Sequence, residues 1–331
     1  MNKDRLLEIT TNINKELKTD IRFGDDPKLK IERVPTCILG LDNILGGGLP
    51  RKRLLLFTGE TSTGKSALAA QCIKAVQKAG GIAAYLDVED TYDSAWWKAM
   101  DVDVENLLVM PPTIAESTFD VLLNLLEQEI DIIVLDSLAA LLPAEEAEED
   151  MEHKFIALQA RLINKACRKI VLSNKSSIII FVNQLRAGMN SRIPEVVLPG
   201  GKGQEFFSSI ILKINKGEPI IDLETRKEMR GRGRRRERSI GYYMDVFVEK
   251  SKVGIPFQRC QIPFYFSGKV DTLYGLFQIA LDEDIITQAG PYFYFGEEGY
   301  LGKNGFIDAM KANQELVANI RFKVNEKNGT A

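Results

Sequence analysis

Histidine is nearly missing from this chain. A single His153 among 331 residues excludes metal sites built on imidazole and argues against a Ser-His nucleophile. Cysteine is sparse too. Cys37, Cys72, Cys167 and Cys260 lie far apart, without the close spacing of metal ligands, so they read as reduced and mostly buried thiols. No segment approaches the length of apolar chain that crosses a bilayer, and Met1-Asn2-Lys3-Asp4-Arg5 is charged with no apolar run behind it. These absences lead to the expectation of a cytoplasmic protein with no membrane partner. The net charge of −3 gives no general attraction for polyanions, so any basic surface has to be local. With 45% hydrophobic residues, the chain can bury a full α/β core and leave enough for a smaller second domain.

What the chain does have is Gly59-Glu60-Thr61-Ser62-Thr63-Gly64-Lys65-Ser66, which completes the pattern G-x-x-x-x-G-K-[ST]. An apolar strand, Leu54-Leu55-Leu56-Phe57, precedes it. An Ala-rich helical segment from Ala67 to Lys78 follows and stops at Gly80-Gly81. Glycines let successive N–H groups turn inward, and the helix that follows adds the positive end of its dipole, so the loop attracts polyphosphate. In such a loop Lys65 reaches the β and γ phosphates and the Ser66 hydroxyl takes a place on magnesium. A nucleoside triphosphate with Mg2+ is therefore the expected ligand.

The pattern around the loop predicts an α/β fold, with a mostly parallel central sheet flanked by helices. Near-continuous apolar runs at Leu54 to Thr58, Ala83 to Val88, Ile132 to Leu135 and Ile178 to Val182 read as strands covered on both faces. Helical segments around Ala115 to Gln128 and Lys154 to Lys169 alternate with them. Strands at Ile210 to Ile214, Met244 to Glu249 and Cys260 to Phe264 have no long helix between them and are expected to extend the sheet in antiparallel fashion. Lys3 to Leu17 carries Leu6, Leu7, Ile13 and Leu17 at near-helical spacing and reads as an arm. From about Val270 a helix, an aromatic hairpin at Tyr292-Phe293-Tyr294-Phe295 and another helix suggest a small α+β domain. The expected divisions are 1–30, 31–268 and 269–331.

Carboxylates stand at strand ends, where ligands of open α/β sheets bind. Asp136 closes Ile132-Ile133-Val134-Leu135; such an Asp can cap a following helix, but the upstream phosphate loop favours magnesium. Glu89, just past Tyr85-Leu86-Asp87-Val88, is the best-placed group to deprotonate water beside a γ-phosphate, with Asp87 as its competitor. Asn183-Gln184 closes another strand, so an amide faces the same pocket.

Taken in order, Gly59 to Ser66, Leu86-Asp87-Val88-Glu89, Val134-Leu135-Asp136-Ser137-Leu138-Ala139-Ala140-Leu141 and Phe181-Val182-Asn183-Gln184-Leu185-Arg186 resemble the RecA family of bacterial recombinases. The likeness continues through Pro199-Gly200-Gly201, Glu249-Lys250-Ser251-Lys252 and Asp271-Thr272-Leu273-Tyr274-Gly275, and so covers nearly the whole chain. It implies a DNA-dependent ATPase that forms helical filaments on single-stranded DNA and exchanges strands with a duplex. Divergence within the pattern suggests a phage-encoded or otherwise distant member acting in a bacterial cytoplasm.

By the same resemblance, Lys65 and Ser66 bind ATP and magnesium, Asp136 supports the metal, Glu89 is the general base, and Gln184 couples the γ-phosphate to a DNA loop. Lys250 and Lys252 look like the pair that reaches a neighbouring protomer's phosphates. Asp93 and Trp96 look like adenine contacts, with Trp96 in place of the usual tyrosine, and Tyr274 is expected to pack on the base from across the interface. DNA contact falls to two loops. The first, Ala144 to Ile156, is acidic and draws positive charge from Arg161. The second, Arg186 to Gly200, carries Arg186 and Arg192 and ends in Gly200-Gly201, whose N–H groups can meet a phosphate. It is one residue short for the family, and Ile193-Pro194 replaces the apolar aromatic near its tip.

One feature belongs to this chain alone. Arg226-Lys227-Glu228-Met229-Arg230-Gly231-Arg232-Gly233-Arg234-Arg235-Arg236-Glu237-Arg238 concentrates positive charge in an otherwise slightly acidic protein. Arg234, Arg235 and Arg236 are the expected heart of a secondary site for double-stranded DNA, against the plainer reading of an exposed hairpin. Two other functions fit the motifs: a ring-forming motor of the DnaB or RadA/Sms kind, which shares the Gly40 to Pro50 segment, and a recombination mediator.

Overall fold

The computed structural model describes residues 3–148, 156–187, 196–221 and 239–327, and the chain divides into two compact units at the Glu32/Arg33 junction. In the first, helix α1 (Lys3–Leu17) has no buried residue. The Asn14 side chain bonds the backbone of Ile21 in both directions, at 2.7 and 2.9 Å, and folds the chain back after the helix.

The second unit is built on an eight-stranded sheet. A two-residue pair comes first, β1 (Arg33–Val34) with β2 (Leu49–Pro50), enclosing α2 (Leu39–Ile44). The main strands are β3 (Arg53–Gly59), β4 (Ala83–Asp87), β5 (Leu107–Met110), β6 (Ile132–Asp136), β7 (Ile178–Gln184), then, beyond a small ribbon of β8 (Arg186–Ala187) and β9 (Val196–Val197), β10 (Ile210–Ile221), β11 (Ser239–Ser251) and β12 (Arg259–Tyr265). Their order across the sheet is β12-β11-β10-β3-β7-β6-β4-β5.

Helix α3 (Lys65–Lys78) covers one face, where Leu68, Ile73 and Val76 join the cluster of Leu55, Phe57, Val134 and Ile180. The other face is covered by α5 (Ala115–Glu127) and α7 (Ile156–Ser173), whose Phe119, Leu122, Ile163 and Ile170 meet Leu54, Leu56, Ile133 and Phe181. Residues alternating along one strand thus enter two different cores, which is why these strands read as unbroken apolar runs. Between these helices lie α4 (Ser94–Ala99) and α6 (Ala144–Glu148).

The expectation for Ile210 to Ile214 needs correction. β10 is parallel to β3, from Ile210 opposite Leu55 to Lys213 opposite Thr58; only its pairing with β11, and that of β11 with β12, is antiparallel. A parallel return needs a crossover of about a dozen residues or more. The chain from β7 to β10 is long enough, although among its described residues α8 (Gly203–Phe207) is the one short helix.

β10 and β11 run on past the end of β3 as a two-stranded hairpin that reaches the pair Ile221 and Ser239. The basic run 226–238, with Arg234, Arg235 and Arg236, lies outside the described residues. After β12 come α9 (Thr272–Asp282), β13 (Thr287–Ala289), β14 (Tyr292–Phe295), β15 (Glu298–Leu301), α10 (Gly302–Ala312) and α11 (Gln314–Lys327). They enclose Phe277, Phe306 and Ile320, with Leu39 and Tyr243 packed on the same cluster. No helix among the described residues is long and apolar enough to cross a membrane.

Candidate functional site

The loop from Gly59 to Ser66 joins the central strand β3 to α3 at the carboxyl edge of the sheet. Its glycines are required by space as well as by dihedral angle. A Cβ on Gly59 would stand 2.2 Å from the Ile214 carbonyl oxygen, and one on Gly64, where φ is +97°, would stand 2.5 Å from the Met244 sulfur. Lys65 begins the helix and is buried, with Nζ donating to the Glu60 carbonyl at 2.6 Å. Burial lowers its pKa, opposed by the charges of Asp136 and Glu89.

Asp136, at the end of β6, is buried beside this lysine. Burial pushes its carboxyl up to about 6, opposed by the nearby Ser66 hydroxyl and by the Tyr85 hydroxyl, which donates to it at 3.1 Å. A hydroxyl and a carboxylate are hard oxygen donors, and no group of three or more His, Cys, Asp or Glu able to hold a metal occurs among the described residues. The donor set therefore fits magnesium, which takes one or two protein oxygens and shares the rest with phosphate and water, rather than a caged ion.

Glu89 stands two residues beyond β4. Its Oε1 accepts from the Ser137 hydroxyl at 2.5 Å and from Gln184 Nε2 at 2.8 Å, while Oε2 meets no hydrogen-bond donor among the described residues. Asp87, its competitor, is spent on structure: Oδ2 accepts from the backbone N–H groups of Thr91 and Tyr92 at 2.8 and 2.7 Å and shapes the turn that presents Glu89. The part played by Ser137 went unread in the sequence, because a serine after a strand-end Asp carries no signal of its own.

The other end of this bridge leads to the second loop. Asn183 is fully buried beside Gln184, donating to the Pro199 carbonyl at 2.9 Å and to Gln204 Oε1 at 2.7 Å. Gln204 in turn donates to the carbonyls of Pro199 and Gly201, the latter at 3.1 Å. Gly200 and Gly201 have φ of +84° and +74°, and a Cβ on either would run into α7, at Ile163 or Ala160. Arg186 pairs with Val197 in the ribbon that closes the loop and is exposed, as is Arg161 on α7. Arg192 lies outside the described residues, as do residues 149–155 of the first loop.

Lys250 and Lys252 stand at the opposite edge of the sheet. The backbone N–H of Lys252 bonds Ser209, whose own N–H bonds Leu54, so Lys252 lies level with a residue five positions before Gly59. At 3.3 Å per residue that is about 17 Å from the phosphate loop of the same chain. Both ammonium groups rest on the end of α8: Lys250 on the Glu205 carbonyl at 2.5 Å, Lys252 on that of Phe206 at 2.7 Å.

Among the expected base contacts, Asp93 caps α4 through the Ala95 N–H at 2.9 Å, and Trp96 is 37% exposed with its ring edge-on to Phe264. Tyr274 must be withdrawn from that set. It is 1% exposed, ringed by the C-terminal core, and its hydroxyl bonds Gln261 at 3.1 Å and Lys303 at 2.8 Å, so it has no face to offer a base. Phe266 is 50% exposed, and its ring lies 6.1 Å from that of Tyr242, whose hydroxyl borders Gly64 of the phosphate loop.

Comparison with known proteins agrees with this geometry. A family model described as the RecA N-terminal domain matches residues 5–271. Protein RecA of Thermus aquaticus is 36% identical over 316 residues, covering 93% of this chain and 88% of the relative. Protein RecA of Thermus thermophilus is 35% identical over 318 residues, covering 93% and 89%, and that of Gloeothece citriformis 34% over 313, covering 93% and 84%. A phosphate loop, a bridged carboxylate and a match along nearly the full length lead to one conclusion: the chain belongs to the RecA family of recombinases.

Proposed function

We propose that this protein hydrolyses ATP between stacked protomers on single-stranded DNA, and that the resulting filament pairs and exchanges homologous strands. The observation that carries the reading is the chain of hydrogen bonds Glu89–Gln184, then Asn183–Gln204 to the backbone of Pro199 and Gly201. It links the residue suited to activate water with the residues that close a DNA loop.

In this mechanism Gly59 to Gly64 wrap the phosphates, and Lys65 trades the Glu60 carbonyl for β and γ oxygens. Ser66 and Asp136 would hold magnesium, which neutralises charge on the transferring phosphoryl group. Glu89 keeps Oε1 anchored by Ser137 and Gln184 and turns Oε2 toward the attacking water as its base. Asp93, Trp96 and Phe266 hold the base, with Trp96 as a stacking face. Lys250 and Lys252 leave the end of α8 for the γ-phosphate held by the next protomer, acting as arginine fingers do. Because they stand at the edge opposite the loop, a head-to-tail stack is the arrangement that brings the two together, and an interface of that kind propagates as an open helix. Helix α1 would dock on the adjacent core. Arg161, Arg186, Arg192 and the N–H groups of Gly200 and Gly201 would face the single strand.

Strand exchange by the purified protein, driven by ATP and measured with labelled homologous DNA, tests the reading. Hydrolysis stimulated by DNA without exchange would instead fit a motor or a mediator. Asn183→Leu, which leaves Gln204 Oε1 and the Gln184 N–H without their partner, is expected to cut the DNA stimulation of hydrolysis about tenfold, a loss of about 1–3 kcal/mol of coupling. Its DNA-independent hydrolysis should stay near wild type, as measured with and without a homopolymer strand. Replacing Arg234, Arg235 and Arg236 together by Ala is expected to impair duplex capture and exchange more than single-strand binding. Equal loss of both in filter-binding assays would sink the secondary-site assignment.

A further inference from the structure

Arg33 has no carboxylate partner among the described residues, yet its guanidinium is committed to three backbone carbonyls. Nη1 donates to Leu45 at 2.6 Å and Gly48 at 3.2 Å, and Nη2 donates to Val253 at 2.6 Å. The turn at Gly46, Gly47 and Gly48, with φ of +73°, +109° and +126°, closes around this side chain: a Cβ on Gly46 or Gly47 would lie 3.7 Å from it, and one on Gly48 would lie 2.4 Å from the Val34 carbonyl oxygen. The glycines let the backbone bring two carbonyls to one side of the guanidinium while its other nitrogen faces Val253.

Val253 directly follows Lys252. The turn that carries the lysines is thus held from two sides, by Ser209 and the end of α8 on one and by Arg33 on the other. A planar fork bonded to carbonyls from two segments fixes their relative position in a way a single ammonium cannot. We infer that Arg33 is a positioning residue for Lys250 and Lys252, tying the turn they stand on to the glycine loop through the Val253 carbonyl. The inference rests on the proposed action of the two lysines on a neighbour's phosphates. It also gives the Gly46-Gly47-Gly48 segment a role, as the cradle of the brace.

The test uses the full chain with single-stranded DNA and compares Arg33→Gln, Lys250→Ala, Lys252→Ala, both lysine changes together with and without Arg33→Gln, and Thr36→Val. Thr36 donates from Oγ1 to Asp42 at 2.7 Å and steadies the segment after β1 without touching Val253. Arg33→Gln is expected to lower kcat for ATP hydrolysis about tenfold, with KM for ATP within about twofold, since a misplaced group costs rate rather than ground-state binding. With both lysines already replaced by Ala the same change should cost no more than about twofold, because the groups that Arg33 positions are then gone. Thr36→Val should lower the melting temperature and leave kcat alone. Additive losses in the triple variant, or an equal kcat loss in Thr36→Val, would overturn the assignment and leave Arg33 a fold brace. Full kcat in both Lys250→Ala and Lys252→Ala would overturn it differently, by removing the lysine reading itself. Should Arg33→Gln not fold, Arg33→Lys keeps the stem and charge but cannot bond Leu45 and Val253 together; a kcat equal to wild type in that variant would equally refute the inference.

Discussion

Glu89→Gln is expected to lower DNA-stimulated ATP hydrolysis by about two to four orders of magnitude, the usual contribution of a positioned general base. The substitution is close to isosteric, and the geometry says why the loss should be confined to chemistry. Oε1 of a glutamine can still accept from Ser137 and Gln184, so the bridge between the two strand ends survives. What is replaced is Oε2, the oxygen without a donor, by an amide nitrogen that cannot take a proton. ATP binding and assembly on single-stranded DNA should therefore persist, and filaments should disassemble more slowly. A fluorescent ATP analogue reads the first, electron microscopy the second, and phosphate release the hydrolysis. Near-normal release by the variant would remove Glu89 as the base, and Asp87 could not take its place, since both hydrogen bonds to its Oδ2 hold the turn after β4.

Much of this site was legible in the sequence because its residues stand where strand and loop grammar puts them. Asp136, Glu89 and Gln184 each follow an apolar run at the carboxyl edge, and the glycine spacing around Lys65 is tied to phosphate binding by backbone geometry. What stayed hidden depends on contacts between segments far apart in the chain. Nothing local distinguishes Tyr274, buried in the C-terminal core, from Phe266, half exposed eight residues earlier. The parallel setting of β10 is hidden because the described part of the crossover from β7 holds one five-residue helix instead of a long one. β5 was missed because four residues at a sheet edge, half of them only partly buried, give too short a pattern to read. Arg33 carries no signal in the sequence, and only the carbonyls converging on it mark it out.

The lysines at the opposite edge lead to the second large effect, which separates action within a chain from action between chains. Lys250→Ala with Lys252→Ala is expected to lower hydrolysis by about three orders of magnitude, the scale associated with cationic fingers on a transferring phosphoryl group. Such a loss alone does not say whose phosphate they serve. Mixing does. Protomers carrying Glu89→Gln have intact lysines and a dead loop, and protomers carrying the double lysine change have an intact loop and no fingers. If filaments assemble head to tail from an equal mixture, about one interface in four joins a working loop to working lysines, and hydrolysis should rise to about a quarter of wild type although each variant alone is near background. If the lysines served their own chain, every site in the mixture would stay defective and activity would remain at background. The separation of Lys252 from the loop along the sheet, together with the orientation of both ammonium groups toward the end of α8, supports the first outcome.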